Sequence, residues 1–123
     1  RSTAAIGIPS ARAQTIRALS RAVADGAPIL EPASDLTTAV ARLVALPGIG
    51  DWTAHYIAMR ALGEPDAFPA GDLGLRRALS RGRRPLTDRA LRMRAESWRP
   101  WRAYAAMRIW TRAARTTRSK ETP

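Results

Sequence analysis

The sequence predicts an all-α fold, and three observations carry that prediction. Apolar residues recur at three- and four-residue spacing in each periodic segment, they nowhere alternate with period two, and glycine and proline fall between the periodic segments. Ile16, Leu19 and Val23 follow Pro9 at helical spacing and stop at Gly26, which gives a first helix over 10–25. A turn-rich stretch over 27–34 precedes a second helix with Leu36, Val40, Leu43 and Val44 on one face, Asp35 as N-cap and Pro47 forcing its end. Trp52, Tyr56 and Met59 mark a third helix over 51–62 that closes near Gly63. An irregular stretch over 64–71, with two prolines, leads to Asp72 and a short helix over 73–79. Thr87 is placed to cap the next helix, with Leu86 and Leu91 as the hydrophobic staple around it. Pro100 falls in the first turn of a last helix carrying Ala106, Ile109, Trp110 and Ala113 on one face. The polar residues from Thr116 read as a disordered tail, so the expected domain is 1–115 with a tail over 116–123.

A chain of 123 residues builds one modest core. Its net charge of +11 points to a polyanionic partner, with nucleic acid ahead of an anionic membrane surface. Lys120 is the sole lysine, so the charge sits almost wholly on planar guanidinium groups, which suit bidentate phosphate recognition, although an Arg- and Ala-rich compositional bias accounts for part of the count. Absence of cysteine excludes disulfides, thiolate metal sites and cysteine nucleophiles, and a single histidine, His55, cannot build a zinc site. No apolar run approaches the ~18 residues of a membrane span, and the first residues lack a signal-peptide core. A soluble cytoplasmic protein with no membrane partner is the expectation.

The run Leu46-Pro47-Gly48-Ile49-Gly50 is the most informative in the chain. So short a turn between helices needs glycine where the backbone takes positive φ, and it leaves amides such as those of Gly48 and Gly50 unpaired at the start of the third helix. Those amides and the helix dipole make an anion site suited to a DNA phosphate, for which Gly48, Ile49, Gly50 and Thr53 are the contact candidates. By itself the run also fits an ordinary corner between two helices. Asp72 likewise fits a plain N-cap, and Trp52 and Tyr56, one turn apart, fit either a core stripe or a surface that receives an aromatic ligand.

Over Leu46-Pro47-Gly48-Ile49-Gly50-Asp51-Trp52-Thr53-Ala54-His55-Tyr56, with Asp72 about twenty positions on, the sequence resembles the helix-hairpin-helix DNA glycosylase superfamily, and within it the bacterial 3-methyladenine DNA glycosylase II type. Ile6-Gly7-Ile8-Pro9 and Trp98-Arg99-Pro100-Trp101-Arg102-Ala103-Tyr104-Ala105 also look like that family, so the likeness runs from Ile6 to about Ala114. The resemblance implies a partial helix-hairpin-helix glycosylase domain with its hairpin over 36–62. It implies hydrolysis of the N-glycosidic bond of alkylated bases in double-stranded DNA, as a step of base-excision repair. Asp72 takes the place of the catalytic carboxylate, where a fixed negative charge would meet oxocarbenium character on the sugar. Strand-nicking relatives carry a hairpin lysine where this chain has Trp52, so the implied enzyme is monofunctional.

Trp52 is read as a wall of the base pocket, and Tyr56 as pocket or core; electron-rich rings would stack on a cationic base extruded from the duplex. Trp98, Trp101, Tyr104 and Trp110 are read mostly as core. Hairpin carbonyls of the superfamily often bind a monovalent cation, and the matching positions are Val44, Leu46 and Ile49; no other cofactor is required. Arg60, Arg76, Arg77, Arg83 and Arg84 are further phosphate candidates. The resemblance also implies a monomer that works with an amino-terminal remainder of a longer protein, which would supply the other wall of the pocket. Two other readings compete: a non-catalytic helix-hairpin-helix module that grips the DNA backbone, and a glycosylase acting on oxidised purines or mismatches.

Overall fold

The computed structural model describes residues 6–121, and among them every regular element is helical. The order is α1 (Ser10–Ala24), α2 (Leu36–Val44), α3 (Asp51–Arg60), α4 (Leu73–Ala78), α5 (Asp88–Ala95), a 3-10 turn (Glu96–Trp98) and α6 (Arg102–Glu121). Three helices start where the sequence places a cap. The side chains of Asp35, Asp72 and Thr87 accept the N–H groups of Thr38, Leu75 and Ala90, each satisfying a donor that the first turn cannot pair.

Two apolar clusters meet on α3. One joins Ala58 and Met59 to Phe68, Leu75, Leu91, Ala103 and Ala106; the other joins Ala54 to Ile29, Leu43 and Ile49. Leu62 packs against both. Ala54 and Ala58, both fully buried and one turn apart, keep α3 thin enough for neighbours to approach closely on two sides. α3 is therefore the central element of the fold.

The stretch over 64–71 has no regular structure, yet Ala67, Phe68, Pro69 and Ala70 are all buried. A buried loop must place its polar groups, and this one does so against helices. The Glu64 N–H donates to the Ala58 carbonyl at 3.0 Å, the Ala103 N–H donates to the Pro65 carbonyl at 2.9 Å, and the Phe68 N–H donates to His55 Nδ1 at 3.0 Å. Asp66 anchors it further: its carboxylate accepts Arg102 Nε at 2.9 Å and Arg99 Nη1 at 2.8 Å. Burial pushes the Asp66 carboxyl up, but the hydrogen bond and charge of Arg102, with Arg99 beside it, outweigh burial and hold the group below the usual carboxylate range. Arg102, only 8% exposed, is the one buried charged residue of the described chain, and this pair is what permits its burial.

Three sequence expectations are corrected. α6 begins at Arg102, two residues beyond Pro100, because Trp98 to Trp101 closes a turn of its own, with the Trp101 N–H donating to the Trp98 carbonyl at 2.8 Å. Residues 116–121 continue α6 rather than forming a disordered tail; residues 122 and 123 lie outside the described residues. No glycine or proline interrupts 102–121, and the hydroxyls of Thr116, Thr117 and Ser119 donate to carbonyls four residues back. Trp101 and Tyr104, expected in the core, are 58% and 59% exposed and pack edge-to-face on each other. Ala103 and Ala106 take the inward face of that turn of α6.

His55 gives the fold a pH dependence. Burial pushes its imidazole below the ordinary value; Asp51 opposes this and the charges of Arg102 and Arg92 add to it, with Asp66 opposing more weakly. Nδ1 accepts from the Phe68 N–H, which requires that nitrogen unprotonated. Because the folded value is depressed, the contribution is complete above the unfolded value of about 6.5 and is lost as pH falls through the folded value. The thermal midpoint should therefore fall between pH 7 and pH 5, and His55→Gln, whose carbonyl can accept the same N–H, should be flatter over that interval. Equal slopes in the two proteins would remove His55 from this role.

Candidate active site

Asp72 stands at the end of the buried loop, at the N-cap of α4, and its carboxylate accepts three N–H groups from three helices. Oδ1 accepts the indole Nε1–H of Trp52 on α3 at 2.9 Å. Oδ2 accepts the indole Nε1–H of Trp110 on α6 at 2.9 Å and the backbone N–H of Leu75 on α4 at 2.9 Å. Hydrogen bonds from N–H donors to a carboxylate are worth about 1.5–3 kcal/mol each, more than neutral pairs. A carboxylate oxygen has about two acceptor positions, so Oδ2 is filled and Oδ1 keeps one for a water or a ligand.

Gly74 makes this convergence possible. A Cβ there would lie 3.1 Å from Asp72 Oδ2 and 3.8 Å from Trp110 Nε1, so a side chain would crowd the carboxylate against the indole.

The aromatic rings form a stack rather than a closed pocket. Trp52 and Tyr56 lie parallel, with centroids 5.0 Å apart and planes 8° from each other. One turn further along α3, Arg60 sets its guanidinium over the Tyr56 ring at 5.7 Å. Trp110 meets Tyr56 at 6.2 Å and 58°. Tyr56 is thus held between Trp52 and Arg60, and Trp52, 40% exposed, is the ring that presents a face outward.

The hairpin is built as its glycines require. Gly48 has φ +81°, a conformation that costs an L-residue roughly 1–2 kcal/mol, and a Cβ there would also collide with the Thr15 side chain of α1. Gly50 is the N-cap of α3 and has no side-chain cap, so the first amides of α3 find no partner from it. Ile49 differs from its neighbours: its side chain is buried among Leu43 and Ala54, and its N–H donates to the Leu46 carbonyl at 3.3 Å. Its amide is engaged within the turn, which leaves Gly48, Gly50 and Thr53 as the hairpin candidates for an anion. Asp51, at the start of α3, is drawn sideways by Arg92 at 3.2 Å.

Among the other phosphate candidates, Arg76 is committed to the fold, its Nε donating to the Leu86 carbonyl at 2.6 Å. Arg77, Arg83 and Arg84 are exposed.

The structure therefore brings together Asp72, Trp52 and Tyr56 as the sequence predicts, and adds Trp110. Sequence reasoning placed Trp110 on the inward face of the last helix and missed its indole N–H. A buried tryptophan needs an acceptor for that group, and this is the signal that could have led to Asp72.

The chain is 49% identical over 106 residues to a Mycobacterium tuberculosis protein named probable bifunctional transcriptional activator/DNA repair enzyme AlkA, a match covering 86% of this chain and 21% of that protein. It is 36% identical over 107 residues to DNA-3-methyladenine glycosylase 2 of Escherichia coli, covering 86% of this chain and 36% of that one. The chain is homologous to a segment of the 3-methyladenine DNA glycosylases. A Bacillus subtilis DNA-3-methyladenine glycosylase matches over 72 residues at 38% identity, covering 55% of this chain and 23% of that protein. No protein-family model matches. The chain spans about a fifth to about a third of the length of these glycosylase relatives and, among its described residues, has no helix long and apolar enough to cross a membrane.

Within this glycosylase homologue, Trp110→Phe keeps most of the packing and removes one donor to Asp72. Urea denaturation should show a loss of about 1–3 kcal/mol. A stability unchanged within error would mean that the indole makes no hydrogen bond to the carboxylate in solution.

Proposed function

We propose that this chain carries the catalytic carboxylate and one base-stacking wall of a monofunctional DNA glycosylase that releases alkylated bases of the 3-methyladenine kind from duplex DNA. The observation that carries the reading is the Asp72 carboxylate, held by three N–H donors beside an outward-facing Trp52. Breaking an N-glycosidic bond develops positive charge on the sugar, and a fixed anion placed there lowers the barrier without reorganising. Oδ1 would face the sugar or orient the attacking water, since Oδ2 has both acceptor positions filled. Trp52 would stack on the extruded base, and a cationic base gains roughly 0.5–2 kcal/mol from such a ring. A positively charged alkylpurine is already a good leaving group, so the reaction needs no second acid.

Tyr56 would act by holding Trp52 in place rather than by stacking on the base itself. Gly48, Gly50 and Thr53 would hold a phosphate flanking the lesion. The carbonyls of Val44, Leu46 and Ile49 would offer a hard monovalent cation oxygen donors only, although Leu46 already accepts one hydrogen bond; a bound cation would add positive charge at the turn. The reading includes a cytoplasmic monomer acting together with the rest of a longer protein, whose segments would close the exposed side of Trp52.

The competing reading, a hairpin module that only grips the DNA backbone, has no use for Asp72. The test is release of methylated base from alkylated duplex DNA. Wild-type chain should release base, and Asp72→Asn should lower the rate by at least about 100-fold while DNA affinity changes little. Asn must turn its NH2 toward one of the existing donors, so a modest loss of stability should accompany the substitution. Binding without release by the wild type would favour the module.

A further inference from the structure

A second feature borders the site. Between Asp72 and Asp88 the chain has five arginines and no carboxylate, and between Glu96 and Glu121 it has six arginines, one lysine and no carboxylate. The fold packs these two segments together through α4 and α6. Between them runs an open groove of about 720 Å³ that includes Gly74, Arg77, Arg112, Thr116, Thr117 and Lys120, and among the described residues no acidic side chain lines it. Leu79 and Ile109 contribute to its apolar floor.

The hydroxyls of Thr116 and Thr117 already donate to the Arg112 and Ala113 carbonyls, so anion preference in the groove rests on the three cations. Arg77, Arg112 and Lys120 are all exposed. The groove begins at Gly74, where an added Cβ would meet Asp72 Oδ2 and the Trp110 indole, so it borders the site. It then follows α6 from Ile109 to Lys120, a rise of about 16 Å.

We propose that this groove is a second phosphate track, which takes the backbone of the DNA strand as it leaves the Asp72 site, in addition to the phosphate held at the hairpin. Its chemistry selects a polyanion: three cations with no acid among them would repel a cationic ligand and leave a neutral one without polar partners. Phosphates recur all along a strand's backbone, so a groove of this length meets more than one of them and can engage its cations together. The proposal deepens the glycosylase reading and rests on its choice of DNA as the substrate.

The test compares two triple variants of equal charge. One removes the groove cations, Arg77→Gln, Arg112→Gln and Lys120→Gln; the other removes exposed arginines that do not line the groove, Arg89→Gln, Arg108→Gln and Arg115→Gln. Binding of a defined duplex is measured over a range of salt concentrations, with circular dichroism to confirm the helical content of each variant. The groove triple should weaken binding by at least about 10-fold and reduce the slope of log affinity against log salt by about 2–3, with the second triple changing the slope by less than one. If the groove triple does not fold, Arg77→Gln alone should reduce the slope by about one, against no change for Arg89→Gln. Equal losses in the two triples, or in the two single variants, overturn the groove while leaving the glycosylase reading intact. A wild-type chain that does not bind duplex DNA overturns both.

Discussion

One carboxylate holds three helices together at their point of closest functional interest. Asp72 caps α4 through the Leu75 N–H and reaches α3 and α6 through the indoles of Trp52 and Trp110. Each donor needs an acceptor because an indole or a helix-start amide turned away from water without one carries a desolvation cost. The carboxylate needs donors for the same reason. The three groups therefore fix one another, and the residue proposed as catalytic is also a structural fastener. A neutral acceptor in its place would satisfy fewer of the donors and carry no charge for a cationic sugar.

That arrangement depends on the loop before it. Asp72 arrives where it does because residues 64–71 run through the interior, pinned by His55 at Phe68, by Arg102 and Arg99 at Asp66, and by the Ala103 N–H at Pro65. The alanines of α3 leave room for this path, and the hairpin at Gly48 sets the direction in which α3 leaves α2. Hairpin and carboxylate are thus joined through one element: α3 starts at the hairpin and carries Trp52 and Tyr56 along its side, and the Trp52 indole reaches Asp72.

Much of this was legible in the sequence. The helices, the three side-chain caps and the Gly48 turn follow from local rules of periodicity, capping and positive φ, which act over a few residues. Asp72, Trp52 and Tyr56 were singled out by the family resemblance; by themselves they fit an N-cap and a core stripe equally. What stayed hidden depends on contacts between distant residues. Nothing local tells that Arg102 would be buried against Asp66, that Trp110 would reach Asp72 across 38 positions, or that Trp101 and Tyr104 would face outward. The extension of α6 past Thr116 was misjudged for a different reason: polar composition suggested a tail, whereas the absence of helix breakers and the back-bonding hydroxyls favour helix.

Two indole N–H groups are tied to one carboxylate, and indole N–H resonances report this directly. The chain has four tryptophans, at 52, 98, 101 and 110. In a proton–nitrogen correlation spectrum, the Trp52 and Trp110 indole signals should exchange with solvent more slowly than that of exposed Trp101, and Asp72→Ala should shift both and speed their exchange. If Asp72→Ala left all four indole signals where they were, the carboxylate would not be the point on which this site is built.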